Sequence, residues 1–247
     1  MTSPNEGSIG RLYGVGVGPG DPELLTLRAH RLLTQSPVVC VPKRGLSEDG
    51  YSWGIVKGFL DESRQEVIPL EFPMTKDFAL LKGYWERAVE SIWQRLAQGK
   101  DCVFITEGDP MVYSTFVYIY RTMREKHPEV DIDIVPGVSS ITASAARVGV
   151  SLADGDDRIA ILPAVYEDET LRDAFQKFDT VVLVKVNRMI DRLVEILEPL
   201  GLVDRAVFIS KGTSGEEEIV RDIRTLRGRK LEYMSLVIVR KDSSHER

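Results

Sequence analysis

Thr106-Glu-Gly-Asp-Pro-Met-Val-Tyr-Ser-Thr115 follows directly on the apolar run 102–105. A buried strand ends there and a loop begins. The loop holds two carboxylates, Glu107 and Asp109, a phenol, Tyr113, and the hydroxyls of Ser114 and Thr115. Gly108-Asp-Pro110 is turn chemistry. It presents a carboxylate and backbone N–H groups at the carboxyl end of a strand, where open α/β sheets bind ligands. Two readings of Asp109 stay open. It faces the ammonium of a small ligand, or it caps the helix that starts near Tyr113.

Two other turns have comparable potential. Gly14-Val-Gly-Val-Gly-Pro-Gly-Asp21 is glycine-rich, but the glycines recur at every second position and Pro19 intervenes. A dinucleotide fingerprint needs Gly-x-Gly-x-x-Gly and an acid about 20 residues on. The next strand ends in Cys40-Val-Pro-Lys43 without a carboxylate, and no Gly-Lys-Ser/Thr follows to make a phosphate loop. The segment reads as a tight strand-to-helix turn packed under a cleft. Pro136-Gly-Val-Ser-Ser-Ile-Thr142 leads into a helix, whose first N–H groups suit a carboxylate. Ser139 and Ser140 read equally as ordinary N-caps. Lys43, Arg44, Lys185, Arg188 and Lys211 fall near strand ends, as solvated surface or as partners for substrate carboxylates.

The elements that must position these residues alternate. Strands are expected at 9–17, 37–42, 66–70, 102–106 and 131–135, then at 158–162, 180–186, 206–210, 218–220 and 233–240. Helices are expected at 22–35, 52–60, 78–98, 113–126, 138–148, 168–177 and 189–200, from near-helical spacing of leucines and other apolar residues. The pattern is α/β, with a partly antiparallel second sheet at the strand-rich end. The polar stretch 121–130 suggests a boundary, giving domains 1–125 and 126–247.

Composition narrows the function. A net charge of −6 over 247 residues argues against general nucleic-acid binding, which calls for a basic face. No run of eighteen apolar residues suggests a membrane span, and residues 1–8 lack a secretory core. Cys40 and Cys102 lie in apolar runs and read as buried, reduced thiols of a cytoplasmic protein. No Cys/His spacing suggests a metal site, and His30, His127 and His245 are isolated.

These motifs, taken in order, resemble the tetrapyrrole methylases. Tyr13–Thr26 resembles the opening motif of that family, Glu107-Gly-Asp-Pro110 the second and Val135–Thr142 the third. Lys185-Val186 sits at the fourth and Ser210-Lys-Gly-Thr213 at the fifth. The resemblance runs from about residue 9 to residue 241. Within the family, Gly108–Phe116 and Phe72-Pro-Met-Thr75 resemble members that methylate C20 of precorrin-2 or of its cobalt-chelated counterpart. The resemblance implies two α/β domains with mixed sheets, an active-site cleft between them, a homodimer, and S-adenosylmethionine as methyl donor.

Carried over motif by motif, it implies donor contacts for Pro19, Glu107, Gly108, Asp109, Val112, Ser139, Ser140, Lys185, Gly212 and Ser235. Asp109 would then face the ammonium of a methionine-like ligand. Lys185 departs from the family, where many relatives carry an apolar residue. Gly16, Gly18, Lys43, Arg44, Ser114 and Thr115 are expected at the tetrapyrrole, with loop 43–51 closing over it. Tyr113 and Asp109 are the candidates for removing a proton. Three other readings stay open: methylation at another corrin carbon, a nicotinamide-dependent oxidoreductase, and a non-catalytic binding module.

Overall fold

A computed structural model describes residues 8–45, 49–164 and 166–241. The chain divides into two compact units, Met1–Ser139 and Ser140–Arg247. The first contains strands β1 (Leu12–Gly16), β2 (Val38–Lys43), β3 (Glu66–Glu71), β4 (Cys102–Thr106) and β5 (Ile132–Val135). They form one sheet in the order β3-β2-β4-β1-β5. All its pairings are parallel.

Its helices are α1 (Leu27–Gln35), α2 (Tyr51–Val56), α3 (Phe78–Leu96) and α4 (Phe116–Lys126). The crossovers from β1 and β2 run one way along the sheet, and those from β3 and β4 run back. Right-handed connections therefore place α1 and α2 on one face and α3 and α4 on the other. Strand alternation fits this division. Val39 and Val41 pack with Ala29, Leu33, Ile55 and Val56, whereas Val38 and Cys40 pack with Val89, Ile92, Ile119 and Met123. Neighbouring β1 and β4 send their connections in opposite directions, the arrangement that opens ligand sites at carboxyl ends.

The second unit holds α5 (Ser140–Val148), β6 (Ile159–Pro163), α6 (Asp168–Lys177), β7 (Thr180–Val184), α7 (Ile190–Leu197), β8 (Ala206–Ser210), β9 (Glu218–Val220) and β10 (Ser235–Arg240). The sheet order is β6-β7-β10-β8-β9. Only β6–β7 is parallel; the other three pairings are antiparallel, so the second sheet is mixed as expected. Val182, Val207 and Ile238 pack under α5. Leu183, Phe208 and Val237 pack with residues of α6 and α7.

The division falls later than the expected boundary at 125/126. The polar stretch after 121 is the end of α4 and a turn, and β5 then pairs with β1 in the first sheet. Two helices also start later than their periodicity implied. Residues 22–24 form a separate 3-10 turn, because Thr26 is extended and its hydroxyl accepts Ala29 N–H at 3.1 Å, starting α1 anew. α4 begins at Phe116, whose N–H donates to Ser114 Oγ at 3.0 Å. Cys40 and Cys102 are buried free thiols.

Gly14 has no room for a side chain, since a Cβ there would lie 2.1 Å from the Phe116 ring. Gly14→Ala is expected to cost about 1–3 kcal/mol by overpacking. In a double-mutant cycle by urea unfolding, Phe116→Leu should recover part of that loss. Full additivity would show that the two positions do not compete for the same space.

Candidate functional site

The ends of β1, β4 and β5 meet through backbone. Val17 N–H donates to Thr106 O at 2.9 Å, and Gly108 N–H to Gly18 O at 2.7 Å. Gly18 (φ 81°) and Gly108 (φ 65°) lie in the left-handed region that glycine adopts without steric cost. A Cβ on Gly16 would sit 2.5 Å from Gly108 O and 2.7 Å from Gly137 Cα. Gly16, Gly18 and Pro19 are buried, and Tyr51 Oη donates to Pro19 O at 2.9 Å. Close backbone packing thus accounts for Gly16, and its positive φ for Gly18.

Asp109 bridges two of these loops. Its Oδ1 accepts Met111 N–H at 2.9 Å, and its Oδ2 accepts Gly137 N–H at 3.1 Å. Each oxygen holds one backbone N–H, so the carboxylate ties the two loops together. Ser114 is buried and its hydroxyl shares a 2.9 Å bond with Thr106 Oγ1, so Ser114 braces the loop and starts α4. Thr115, half-buried, stands at the head of α4 without a capping bond from its side chain. Glu107, Met111, Val112 and Tyr113 are exposed at the carboxyl edge. Tyr113 has φ 52°, a conformation that costs a non-glycine residue roughly 1–3 kcal/mol and concentrates at functional loops.

The second unit has its own strained strand ends. Lys185 after β7 (φ 62°), and Lys211 (φ 46°) and Thr213 (φ 71°) after β8, are the other non-glycine residues of positive φ among the described residues. The antiparallel pairing explains their proximity to β10: Lys185 N–H donates to Ser235 O at 2.9 Å, and Lys211 N–H to Met234 O at 2.8 Å. Lys185 Nζ lies 5.8 Å from the centre of the Tyr233 ring, and Lys211 pairs with Glu216. Ser235 is buried, its hydroxyl donating to Glu232 O at 2.7 Å. A Cβ on Gly212 would meet Ser144 Oγ of α5 at 2.9 Å, so this loop rests on α5. Thr213 N–H donates to Glu217 Oε2 at 2.7 Å. Arg147 also holds Glu217, and that guanidinium keeps the carboxyl below the usual carboxylate range.

Ser139 lies in the turn before α5, and Ser140 is its first residue, exposed. Lys43 ends β2 with its ammonium 3.8 Å from Asp49, and Arg44 is exposed beyond it. Residues 46–48 of the loop expected to close lie outside the described residues. Gly137, Tyr51, Tyr233 and Glu217 carry interactions that the sequence reading missed. Gly137 sits inside a motif singled out for its serines, and its own missing side chain was the available signal. Among the described residues, no group of three or more His, Cys, Asp or Glu could hold a metal ion, and no helix is long and apolar enough to cross a membrane.

A two-unit α/β fold with chemistry-bearing loops at strand ends describes a class of small-molecule enzymes, and comparison narrows it. Residues 11–226 match the Tetrapyrrole (Corrin/Porphyrin) Methylases. The chain belongs to that family. It is 37% identical over 204 residues to a Methanocaldococcus jannaschii protein named probable cobalt-precorrin-2 C(20)-methyltransferase, covering 81% of this chain and 84% of that one. It is 32% identical over 233 residues to the cobalt-precorrin-2 C(20)-methyltransferase of Salmonella typhimurium, covering 94% and 97%. The X-ray structure of a cobalt precorrin-4 methyltransferase superposes with a TM-score of 0.71 at 27% identity, covering 93% of this chain and 94% of that one.

Asp109→Ala removes the acceptor that ties two loops together and should lower stability by about 1–3 kcal/mol in urea unfolding. Asp109→Asn keeps one acceptor and should lose less. An Asp109→Ala protein as stable as the unaltered one would show that the bridge contributes nothing.

Proposed function

We propose that this chain transfers the methyl group of S-adenosylmethionine to C20 of precorrin-2 or of its cobalt complex, in cobalamin biosynthesis. The observation that supports this most is the pair of relatives named for that position, each matched over more than four-fifths of both sequences. The strand-end loops support it independently. Among the described residues, all four strained non-glycine positions occur where the family motifs lie, and backbone held against its preference at a strand end suits a preorganised small-molecule site.

S-Adenosylmethionine, when bound, supplies an activated methyl group on a sulfonium sulfur. The protein's task is then orientation, which alone contributes roughly 7–11 kcal/mol to such transfers. In this reading Pro19, Glu107, Gly108, Val112, Ser139, Ser140, Lys185, Gly212 and Ser235 contact the donor by side chain or backbone. Asp109 ties its loop to Gly137 and still has acceptor capacity for the donor's ammonium, since each of its oxygens accepts one N–H and has a second lone pair. Tyr113, with its ring exposed at the same edge, is the candidate for taking the proton lost from the methylated carbon or a ring nitrogen. Lys43, Arg44 and Thr115 meet the tetrapyrrole, the two cations facing its carboxylates. The glycine-rich loop supports a methylase over a nicotinamide enzyme, since the Val17 and Gly18 N–H groups are taken by Thr106 and Gly108 carbonyls and are unavailable to a pyrophosphate.

We further read the chain as a cytoplasmic homodimer. Buried unpaired thiols fit a reducing compartment. An aromatic cluster on the first unit supports self-association: Trp85 stacks on Tyr118 at 4.2 Å and meets Phe78 edge-on at 5.4 Å, while Phe78 and Met74 stay 66% and 62% exposed.

Incubation with S-adenosylmethionine and either metal-free or cobalt-loaded precorrin-2 should give a product heavier by one methyl group, placed at C20 by NMR. Methylation at another carbon would support the second reading, favoured by the precorrin-4 enzyme of the same fold; no transfer from the donor would sink both. Light scattering should give twice the chain mass, reduced by Phe78→Lys. A monomer at micromolar concentration would end the dimer reading.

A further inference from the structure

We propose that Glu217 is a positioning residue for the methyl donor, holding the backbone of Lys211-Gly-Thr213 in its left-handed turn. This rests on the donor reading above and goes beyond it, because Glu217 lies outside every motif that suggested donor contacts. The loop after β8 turns with two non-glycine residues in the left-handed region, Lys211 and Thr213. Such a conformation persists only where the surroundings over-determine it. Glu217 supplies that determination. Its Oε2 accepts the Thr213 N–H at 2.7 Å, and the same carboxylate takes Arg147 Nε at 3.0 Å and Nη2 at 2.6 Å.

Arg147 lies in the last turn of α5, and Gly212 rests on Ser144 one turn earlier, where a Cβ would press on the Ser144 hydroxyl. The carboxylate therefore holds the loop at Thr213 and reaches the helix at Arg147, and Gly212 makes a separate contact with the helix at Ser144. The Glu217 side chain is only 12% exposed while Arg147 is 55% exposed, so the carboxylate is the buried partner. A side chain without an acceptor would leave a strained peptide N–H unsatisfied. The neighbouring acids differ: Glu216 is exposed and pairs with Lys211, and Glu218 pairs with Arg229 at 2.8 Å on the surface.

The test compares Glu217→Ala, Glu217→Gln, Arg147→Met and, as a control of equal charge change one residue away, Glu218→Gln. S-Adenosylhomocysteine affinity is measured by calorimetry, with turnover at saturating donor and thermal unfolding alongside. Glu217→Ala should weaken affinity about tenfold, with turnover at saturating donor within threefold of the unaltered chain. Glu217→Gln retains a carbonyl acceptor for Thr213 and should recover most of the affinity. Arg147→Met removes the ion pair but leaves the Thr213 bond, and should cost less than threefold in affinity even where its unfolding temperature falls as far as that of Glu217→Ala. Glu218→Gln should change neither affinity nor turnover. Equal losses in Arg147→Met and Glu217→Ala, or unchanged affinity in Glu217→Ala, overturn the proposal and leave the donor reading intact. If Glu217→Ala does not fold, Glu217→Met, which keeps the side-chain volume without the acceptor, is compared with Glu217→Gln, with the larger loss expected in Glu217→Met and equal affinity overturning the proposal. Absence of donor binding in the unaltered chain overturns the donor reading and this inference together.

Discussion

Three backbone segments meet at Gly16, Gly108 and Gly137 with no side chain between them, and the first unit's loops depend on that contact. Gly137 could not carry a Cβ without coming within 2.1 Å of Gly108 O. The approach is stabilised by hydrogen bonds between the first two loops and by Asp109, which accepts an N–H from its own loop and one from the third. A carboxylate is suited to this, because both oxygens accept and charge strengthens each bond.

The second unit solves a similar problem with different parts. Its loops after β7 and β8 bend at lysines and a threonine instead of glycine, and each bend is held from outside. The start of β10 receives the N–H groups of Lys185 and Lys211, and Glu217 receives that of Thr213. Strain of this kind is tolerable because a cooperative unit with a packed sheet core supports it. The four β-branched and aliphatic strands behind these loops are almost wholly buried, apart from alternate residues of the edge strand β6.

Membership of the tetrapyrrole methylases accounts for the order of the motifs, and the structure gives several of them a physical reason. The opening glycines pass close to neighbouring backbone. The serine pair stands where a helix begins. The fifth motif lies on α5 through a glycine where a Cβ would press on the Ser144 hydroxyl. Family resemblance named the segments; geometry divides them into residues that hold the loops and residues left exposed at the strand ends, such as Glu107, Val112 and Tyr113.

Sequence alone determined which segments are strands and helices, because apolar periodicity reports burial directly. It also determined that the second sheet is partly antiparallel, from the short strands at its end, and which turns carry chemistry, since Gly, Pro, Ser and Asp at strand ends leave a local signature. It placed the unit boundary too early, because whether β5 joins the first sheet depends on pairing with β1, a partner more than a hundred residues away. The same limit applies within the site. Thr26 and Ser114 reset two helix starts by side-chain bonds that compete with periodicity. Asp109 and Gly137 gained their contact only when distant backbone came within hydrogen-bonding distance, and Glu217 its ion pair only when Arg147 was brought to it across the fold, because such partners are fixed by the tertiary structure and not by neighbours in the chain.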